Sequence, residues 1–309
     1  MTDSHPLMAC PLCRGRDIHL VEQIDGSAVS SAWIKSYGIR FESPLEDLAY
    51  LHCRGCELRF FNPAQSGGPQ LYEQLQQHDW YYVDDKPEYA VAARWLPAHG
   101  EVLEVGSGKA AFARFVTPAR YRGLEFNSVA IERARLAGVS LFKESIQDHS
   151  RSNAGRYSAV VSFQVLEHVE DPAGFLQACV AALQPGVGRL ILAVPDHDGL
   201  CGLAQNNILD MPPHHVSHWN ERSLRAVGRL FGLELLSIER ESVSELHQSW
   251  ARRAVIERRL RGIAGLDQRL LDTRWRARLI GRLAARRASG PVEIGDVTGH
   301  TIVAAYRLT

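Results

Sequence analysis

The sequence lacks the marks of a membrane-spanning or secreted chain. It contains no run of about 18 apolar residues, the length that a transmembrane helix needs. Asp3 and Cys10 stand where a signal peptide would require an apolar stretch, so we expect a cytoplasmic protein. In a reducing compartment, the six cysteines indicate metal binding or free thiols rather than disulfides.

Net charge is also missing, because 35 basic and 35 acidic residues cancel. No overall field therefore attracts nucleic acid or a membrane. The segment 243–290 departs from this balance, with twelve Arg, no Lys and four acidic residues, a net charge of +8. Its apolar residues recur at spacings of one to four, which predicts helices with a basic outer face. These residues are Leu260, Ile263, Leu266, Leu270 and Leu271.

Three uses fit such a basic helical segment. It can be a solvated cap or a contact between two copies of the chain, a surface for an anionic substrate or nucleic acid, or a weak contact with a membrane surface. We predict the first, and therefore a monomer or a homodimer without a nucleic-acid partner.

Four of the cysteines form two C-x2-C pairs, Cys10 with Cys13 and Cys53 with Cys56. Four thiolates favour tetrahedral zinc, and segment 1–66 has so few large apolar residues that it would depend on the ion for folding. A β-rich insertion, with strands within 18–24 and 49–61, must bring the two pairs together. The pattern predicts a structural zinc ribbon; a redox C-x-x-C and unligated cysteines are the alternatives.

The stretch 101–115 has the pattern of a strand, a tight turn and a helix. An apolar run at 102–105 has the length of a buried strand, Gly106 and Gly108 interrupt it, and 110–116 has helical spacing. Bare peptide groups at a strand's carboxyl end, beside the amino end of a helix, favour a nucleotide-type pocket. The same glycines also fit a dinucleotide-binding turn.

Glu125 ends the next predicted strand, 19 residues after Gly106. At this separation an acidic side chain reaches the ribose hydroxyls of an adenosine held at the first turn. Asn127 and Ser128 then predict a helix cap. Further strands are predicted at 139–143, 157–163, 189–195, 233–238 and 301–306.

Three motifs in this order make the chain resemble the class I S-adenosylmethionine-dependent methyltransferases. They are Glu104 with the two glycines, Gln164-Val-Leu-Glu-His168-Val-Glu-Asp-Pro172, and Leu183-Gln-Pro-Gly186. Ala110 replaces the third glycine of the first motif. The resemblance implies an α/β fold with a doubly wound, Rossmann-like sheet of seven strands, the last of them antiparallel.

The resemblance also implies a division of the chain. The expected parts are a zinc ribbon (1–66), a linker or lid (67–98), the cofactor domain (99–242 and 298–309) and an Arg-rich helical insertion before the last strand (243–297). Trp80–Tyr82 would either close over the pocket or anchor one module on another.

S-adenosylmethionine is the cofactor that the resemblance implies. Glu125 would accept hydrogen bonds from the ribose hydroxyls, and Asp148 would face the adenine amino group. The expected cofactor-binding residues are Tyr82, Glu104, Gly106, Ser107, Gly108, Glu125, Phe126, Asp148, Phe163 and Gln164.

A histidine-rich segment follows the fifth predicted strand. Since that strand's carboxyl end faces the same crevice as the first turn, a histidine here can approach the methyl group from the acceptor side. We predict His215, ahead of His214, as the general base; orienting the substrate or fixing the loop is the alternative. A metal site at His214 and His218 is a further alternative, and His168 is expected to orient or pack.

The zinc ribbon and the pattern Tyr82-x-x-x-Lys86-Pro-Glu88-Tyr89 are similar to those of methyltransferases that act on sugars, glycans and other small metabolites. The resemblance implies O- or C-methylation of a small-molecule acceptor. Two alternatives stay open: an RNA methyltransferase, and a non-catalytic zinc-ribbon scaffold.

Overall fold

The computed structural model describes residues 9–75, 77–78, 85–290 and 293–309. An N-terminal module contains an antiparallel sheet, β1–β2–β3, and one helix. Its elements are β1 (Ile18–Ile24), α1 (Gly26–Tyr37), β2 (Leu48–Cys53) and β3 (Arg59–Asn62). The strands lie where the sequence predicts them. Helix α1 has no counterpart in the prediction; Asp25 caps it, and Trp33 is fully buried.

Two short helices, α2 (Pro69–Leu75) and α3 (Pro87–Arg94), lead to a second sheet. In the sequence, Trp80–Tyr82 come between these helices and outside the described residues. The prediction that they form a lid or an anchor therefore concerns residues that the structure does not describe. Tyr89 of α3 packs against Phe112 and Phe163, with ring centroids 5.6 and 4.9 Å apart, so α3 is fixed to the larger sheet.

The larger sheet has seven strands and follows the predicted topology. This part of the chain also contains β9, a strand of two residues that belongs to the other sheet. In chain order, the elements are β4 (Val102–Val105), β5 (Tyr121–Leu124), α4 (Ser128–Leu136), β6 (Leu141–Phe142), α5 (Ile146–Ser152), β7 (Ala159–Phe163), α6 (Pro172–Ala182), β8 (Arg189–Pro195), α7 (Leu200–Leu203), β9 (Ser217–His218), α8 (Glu221–Phe231), β10 (Leu233–Ser242), α9 (Gln248–Ile263), α10 (Trp275–Arg287) and β11 (Thr298–Leu308).

The strand order is β10-β11-β8-β7-β4-β5-β6, and β11 is antiparallel to both neighbours. From β4 the chain first builds β5 and β6 on one side, then returns to build β7 and β8 on the other. The order therefore reverses at β4, and a crevice opens at that strand's carboxyl end. This confirms the predicted doubly wound sheet with an antiparallel last strand.

Two helix predictions are wrong, one in the type of helix and one in its length. The segment after Gly108 is a short 3₁₀ helix, Ala111–Phe115, because Ala110 is left-handed (φ 57°) and Val116 is already extended. In the Arg-rich segment, α9 ends at Ile263 and Gly265 turns the chain at φ 62°, so 266–271 is not helical. No helix in the described ranges is long and apolar enough to cross a membrane.

The N-terminal module shares its core with the larger sheet. Leu51, Leu58 and Phe60 belong to the same buried cluster as Leu103 and Val160. Strand β9, which comes from the histidine-rich segment, pairs with β3 through Arg59–His218 and Phe60–Ser217 and becomes the fourth strand of the module's sheet. The histidine-rich segment is thus held between the two sheets.

Candidate functional site

The turn after β4 has the open backbone that the sequence predicts. Gly106 is left-handed (φ 74°) and donates its N–H to the Leu124 carbonyl at 2.9 Å. A Cβ atom at Gly106 would lie 2.4 Å from Cγ2 of Val165, so no side chain fits there. Gly108 is also left-handed (φ 51°), and Ser107 between them is buried.

Glu125 lies directly against this turn. Its carboxylate accepts N–H groups from Gly108 at 2.7 Å and from Phe126 and Asn127 at 2.8 Å each. Because a carboxylate offers about four acceptor positions, about one remains for a ligand. Phe126 follows with its ring 66% exposed, an apolar face at the same edge of the sheet. The structure therefore brings together the glycines, Glu125 and Phe126.

Glu104 of β4 is buried beneath the turn and accepts a hydrogen bond from the Tyr121 hydroxyl. Burial raises the pKa of Glu104 to about 8, and the nearby Lys86 ammonium only partly opposes this. The carboxyl is therefore mainly protonated at neutral pH. A cationic group placed beside it would favour its ionisation.

Three other predicted cofactor residues, Asp148, Phe163 and Tyr82, are not shown in contact with the β4 turn. Asp148 is 59% exposed and bonded to Arg151 and Ser145, both at 2.7 Å. The Phe163 ring packs in the core against Tyr89. Tyr82 lies outside the described residues.

Gln164 begins the segment after β7 in a left-handed conformation (φ 56°). Its amide donates to Glu88 at 3.3 Å and to Thr301 at 3.2 Å. Burial raises the pKa of Glu88, which the sequence analysis did not single out as a site residue. The Lys86 ammonium partly opposes this rise in the pKa of Glu88, and it lies 5.9 Å from the Tyr89 ring centroid.

His168 and Glu167 form the wall below the histidine-rich segment. Nδ1 of His168 donates to the His214 carbonyl at 2.5 Å, which fits the predicted orienting role. Burial lowers the pKa of His168 to about 3, so the ring is neutral. Burial also raises the pKa of Glu167 to about 8, and its Oε2 has no hydrogen-bond partner among the described residues.

His215 is paired with a buried carboxylate, Asp210, which the sequence analysis missed. Nδ1 of His215 lies 2.9 Å from Oδ1 of Asp210. Burial opposes ionisation of Asp210, but the charge interaction with His218 and hydrogen bonds from His215 and His218 hold its pKa well below the usual range. Since a carboxylate only accepts, Nδ1 of His215 carries the proton and Nε2 keeps the basic lone pair.

His214 is fixed differently. Its Nδ1 donates to the Leu209 carbonyl at 2.7 Å, and burial lowers its pKa well below the usual value. It stacks on His215 with ring centroids 4.6 Å apart. Nδ1 of His215 is hydrogen-bonded to a carboxylate that would stabilise the protonated ring, whereas Nδ1 of His214 is hydrogen-bonded to a backbone carbonyl.

A second buried network joins this segment to the N-terminal module. The Tyr50 hydroxyl of β2 lies 2.7 Å from Nδ1 of His218 and 3.1 Å from Nε2 of His197. Nε2 of His218 donates to the Asp210 carbonyl at 2.8 Å. The structure does not match the alternative of a metal held by His214 and His218. The ring nitrogens of His214 cluster with those of His168 and His215, whereas those of His218 cluster with His197 and Asp210. The position of Asp210, five residues before His215, is a sequence signal that could have indicated its role. The sequence contains no comparable signal for Tyr50.

The four cysteines converge as predicted. Their sulfur atoms lie within 4.8 Å of one another, with 3.5 Å between Cys10 and Cys56 and between Cys13 and Cys53. Zinc–sulfur bonds of about 2.3 Å in a tetrahedron place sulfurs about 3.8 Å apart. The group therefore has the donors and the spacing to hold a metal ion.

Comparisons with known proteins agree with this geometry. The family model described as a methyltransferase domain matches residues 74–238. The ubiquinone biosynthesis O-methyltransferase of Xanthomonas axonopodis pv. citri (strain 306) is 30% identical over 186 residues, which span 55% of this chain and 75% of that protein. The protein of that name from Vibrio parahaemolyticus is 35% identical over 94 residues, 28% of this chain and 40% of that one.

Among solved structures, a SAM-dependent methyltransferase from Archaeoglobus fulgidus superimposes with a TM-score of 0.51 at 14% identity. The similarity covers 77% of this chain and 98% of that one, and it concerns the fold.

Proposed function

The chain belongs to the class I S-adenosylmethionine-dependent methyltransferases, and from this premise we propose that it methylates an oxygen of a small-molecule acceptor, with His215 as the general base. The pairing of His215 with Asp210 carries the proposal, because it gives a neutral imidazole a fixed lone pair and a buried counter-ion. The relatives named O-methyltransferases support oxygen as the acceptor atom.

The residues around the β4 turn fit the cofactor. The turn at Gly106 and Gly108 lets a ligand approach the backbone closely, Glu125 keeps an acceptor for a ribose hydroxyl, and Phe126 offers an apolar face to adenine. Glu104 lies where a cationic amino group would ionise it. Asp148 accepts hydrogen bonds from Ser145 and Arg151, one on each oxygen, and keeps further acceptor positions for the adenine amino group. When bound, S-adenosylmethionine supplies a sulfonium methyl group for in-line transfer.

His215 then handles the proton. Its Nε2 would accept the proton that the acceptor hydroxyl loses when its oxygen takes the methyl group. Asp210 stabilises the resulting imidazolium, and Nδ1 keeps its hydrogen bond throughout. His168 and the stacked His214 hold the ring's surroundings in place.

We propose zinc as the ion held by the four cysteines. It would fix the loop before β1 to the end of β2, and β2 carries Tyr50, which contacts His218 and His197. The ion would thus stabilise the N-terminal module and, through Tyr50 and the β3–β9 pairing, the segment that carries His215.

A transfer assay with methyl-labelled S-adenosylmethionine tests the proposal. Purified protein is incubated in parallel with catechol, a hexose, a primary amine and total RNA. We expect label in a hydroxyl-bearing small molecule, and less of it with His215→Asn. Label in RNA would favour the nucleic-acid alternative, and label in the amine would contradict oxygen as the acceptor atom.

A further inference from the structure

Helix α10 has two different apolar faces. On the inner face, Ala277, Ile280 and Ala284 are buried. On the outer face, Trp275, Leu279 and Leu283 are 70%, 49% and 37% exposed. These three residues are four apart, so they form one line along the helix. A solvated helical cap would require polar residues on this face.

Arginines border this line on both sides. At about 100° per residue, Arg278 and Arg282 lie on one side of the line, and Arg276 and Arg287 lie on the other. Residues 275–287 contain five arginines and no acidic residue. The Arg276 guanidinium lies 5.6 Å from the Trp275 ring centroid, against the apolar line. We call Trp275, Leu279, Leu283 and the four bordering arginines the α10 strip.

Ion pairs and a hydrogen bond of Asp272 hold the N-terminal end of α10 in place. Before α10, Asp272 pairs with Arg261 at 2.7 Å with both side chains buried, and with Arg274 at 2.7 Å. The Asp272 N–H donates to Asn206 at 2.7 Å. Asp272 therefore joins the start of α10 to α9 and to the loop that carries Asn206.

We propose that the α10 strip docks on the surface of a membrane that contains anionic lipids. An apolar line inserts between acyl chains while its cationic borders meet the phosphates, which is the pattern of helices that lie in the bilayer interface. A second copy of the chain is a poorer occupant, because a twofold contact would bring the two sets of arginines together. RNA would use the arginines but leave the apolar line exposed to water.

Sedimentation with lipid vesicles tests this proposal on the full chain. We expect binding to vesicles of phosphatidylcholine mixed with phosphatidylglycerol and at least about tenfold weaker binding to phosphatidylcholine alone. The double substitution Leu279→Ser/Leu283→Ser should weaken binding about tenfold or more. Leu136→Ser on α4 is the matched control: this leucine is 74% exposed but lies away from the strip, and its removal should leave binding unchanged.

Two further measurements separate the possible occupants. Arg278→Gln/Arg282→Gln should weaken vesicle binding and reduce its salt dependence. Circular dichroism should be unchanged in every variant. The proposal fails if the chain does not bind the anionic vesicles, or if Leu279→Ser/Leu283→Ser and Leu136→Ser bind them equally. It also fails if the leucine variant converts a dimer to a monomer without lipid, or if RNA binds in place of vesicles.

Discussion

The substitution Asp210→Asn separates a base with a counter-ion from a histidine that only fixes the loop. Asparagine keeps the shape of the side chain and an acceptor oxygen for Nδ1 of His215, which lies 2.9 Å away. It removes the negative charge that stabilises the imidazolium during proton transfer. Cofactor affinity should hardly change, because the contacts of the β4 turn do not include Asp210.

The size of the effect follows from that one contact. A hydrogen bond to a charged group contributes about 1.5–3 kcal/mol, and each ~1.4 kcal/mol is about tenfold in rate. We therefore expect kcat to fall by about 10- to 150-fold. The acid limb of the rate profile should also move to lower pH, because an imidazolium without its counter-ion loses its proton more readily. A purely structural loss would lower the rate without moving that limb.

The assay needs matched histidine variants. In His215→Asn the amide can still donate to Asp210, but the basic Nε2 is gone, so kcat should fall by about 10²–10⁴-fold. In His214→Asn the amide can still donate to the Leu209 carbonyl, and more than about a tenth of the activity should remain. Rates are measured at saturating cofactor, with its affinity determined separately by calorimetry. Equal losses in His214→Asn and His215→Asn, or an unmoved acid limb in Asp210→Asn, would refute the reasoning.

Three further predictions concern the cofactor site and the cysteines. Glu125→Ala should weaken cofactor binding by about 1.5–3 kcal/mol in calorimetry; unchanged affinity would exclude the ribose contact. Because the pKa of Glu104 is raised from 4.5 to about 8, folding stability should fall as pH rises through this window, and Glu104→Gln should abolish that part of the fall in urea titrations; parallel stability profiles would contradict it. Cys53→Ser should remove the zinc detected by elemental analysis and lower the melting temperature, and Cys179→Ser, a buried thiol outside the group, should leave the zinc in place; full zinc content in Cys53→Ser would contradict the four-cysteine site.

Sequence reasoning succeeded where a local pattern determines a local structure. The apolar run at 102–105 forms β4, and the two glycines after it adopt the left-handed conformation of a tight turn; at Gly106 a Cβ atom would lie 2.4 Å from Cγ2 of Val165. A helix cap was expected at Asn127 and Ser128, and the Asn127 side chain caps α4. The predicted helix after Gly108 failed, since helical spacing over a few residues does not decide between an α-helix and a 3₁₀ turn.

The candidate site depends on contacts that no local pattern encodes. His215 was chosen from its segment alone; Asp210 is only five residues earlier, but the loop has to fold back to place its carboxylate 2.9 Å from Nδ1 of His215. Tyr50 lies 168 residues before His218 and reaches it because β3 and β9 pair in one sheet.

The sequence by itself determined the order of the strands along the chain, the glycine turn and the two cysteine pairs, because periodicity, backbone freedom and ligand spacing are properties of neighbouring residues. Only the tertiary structure decided which histidine has a buried counter-ion and that the N-terminal module supports it. Burial, and contacts such as that of Tyr50 with His218, bring together segments far apart in sequence, and burial changes the pKa of each ring.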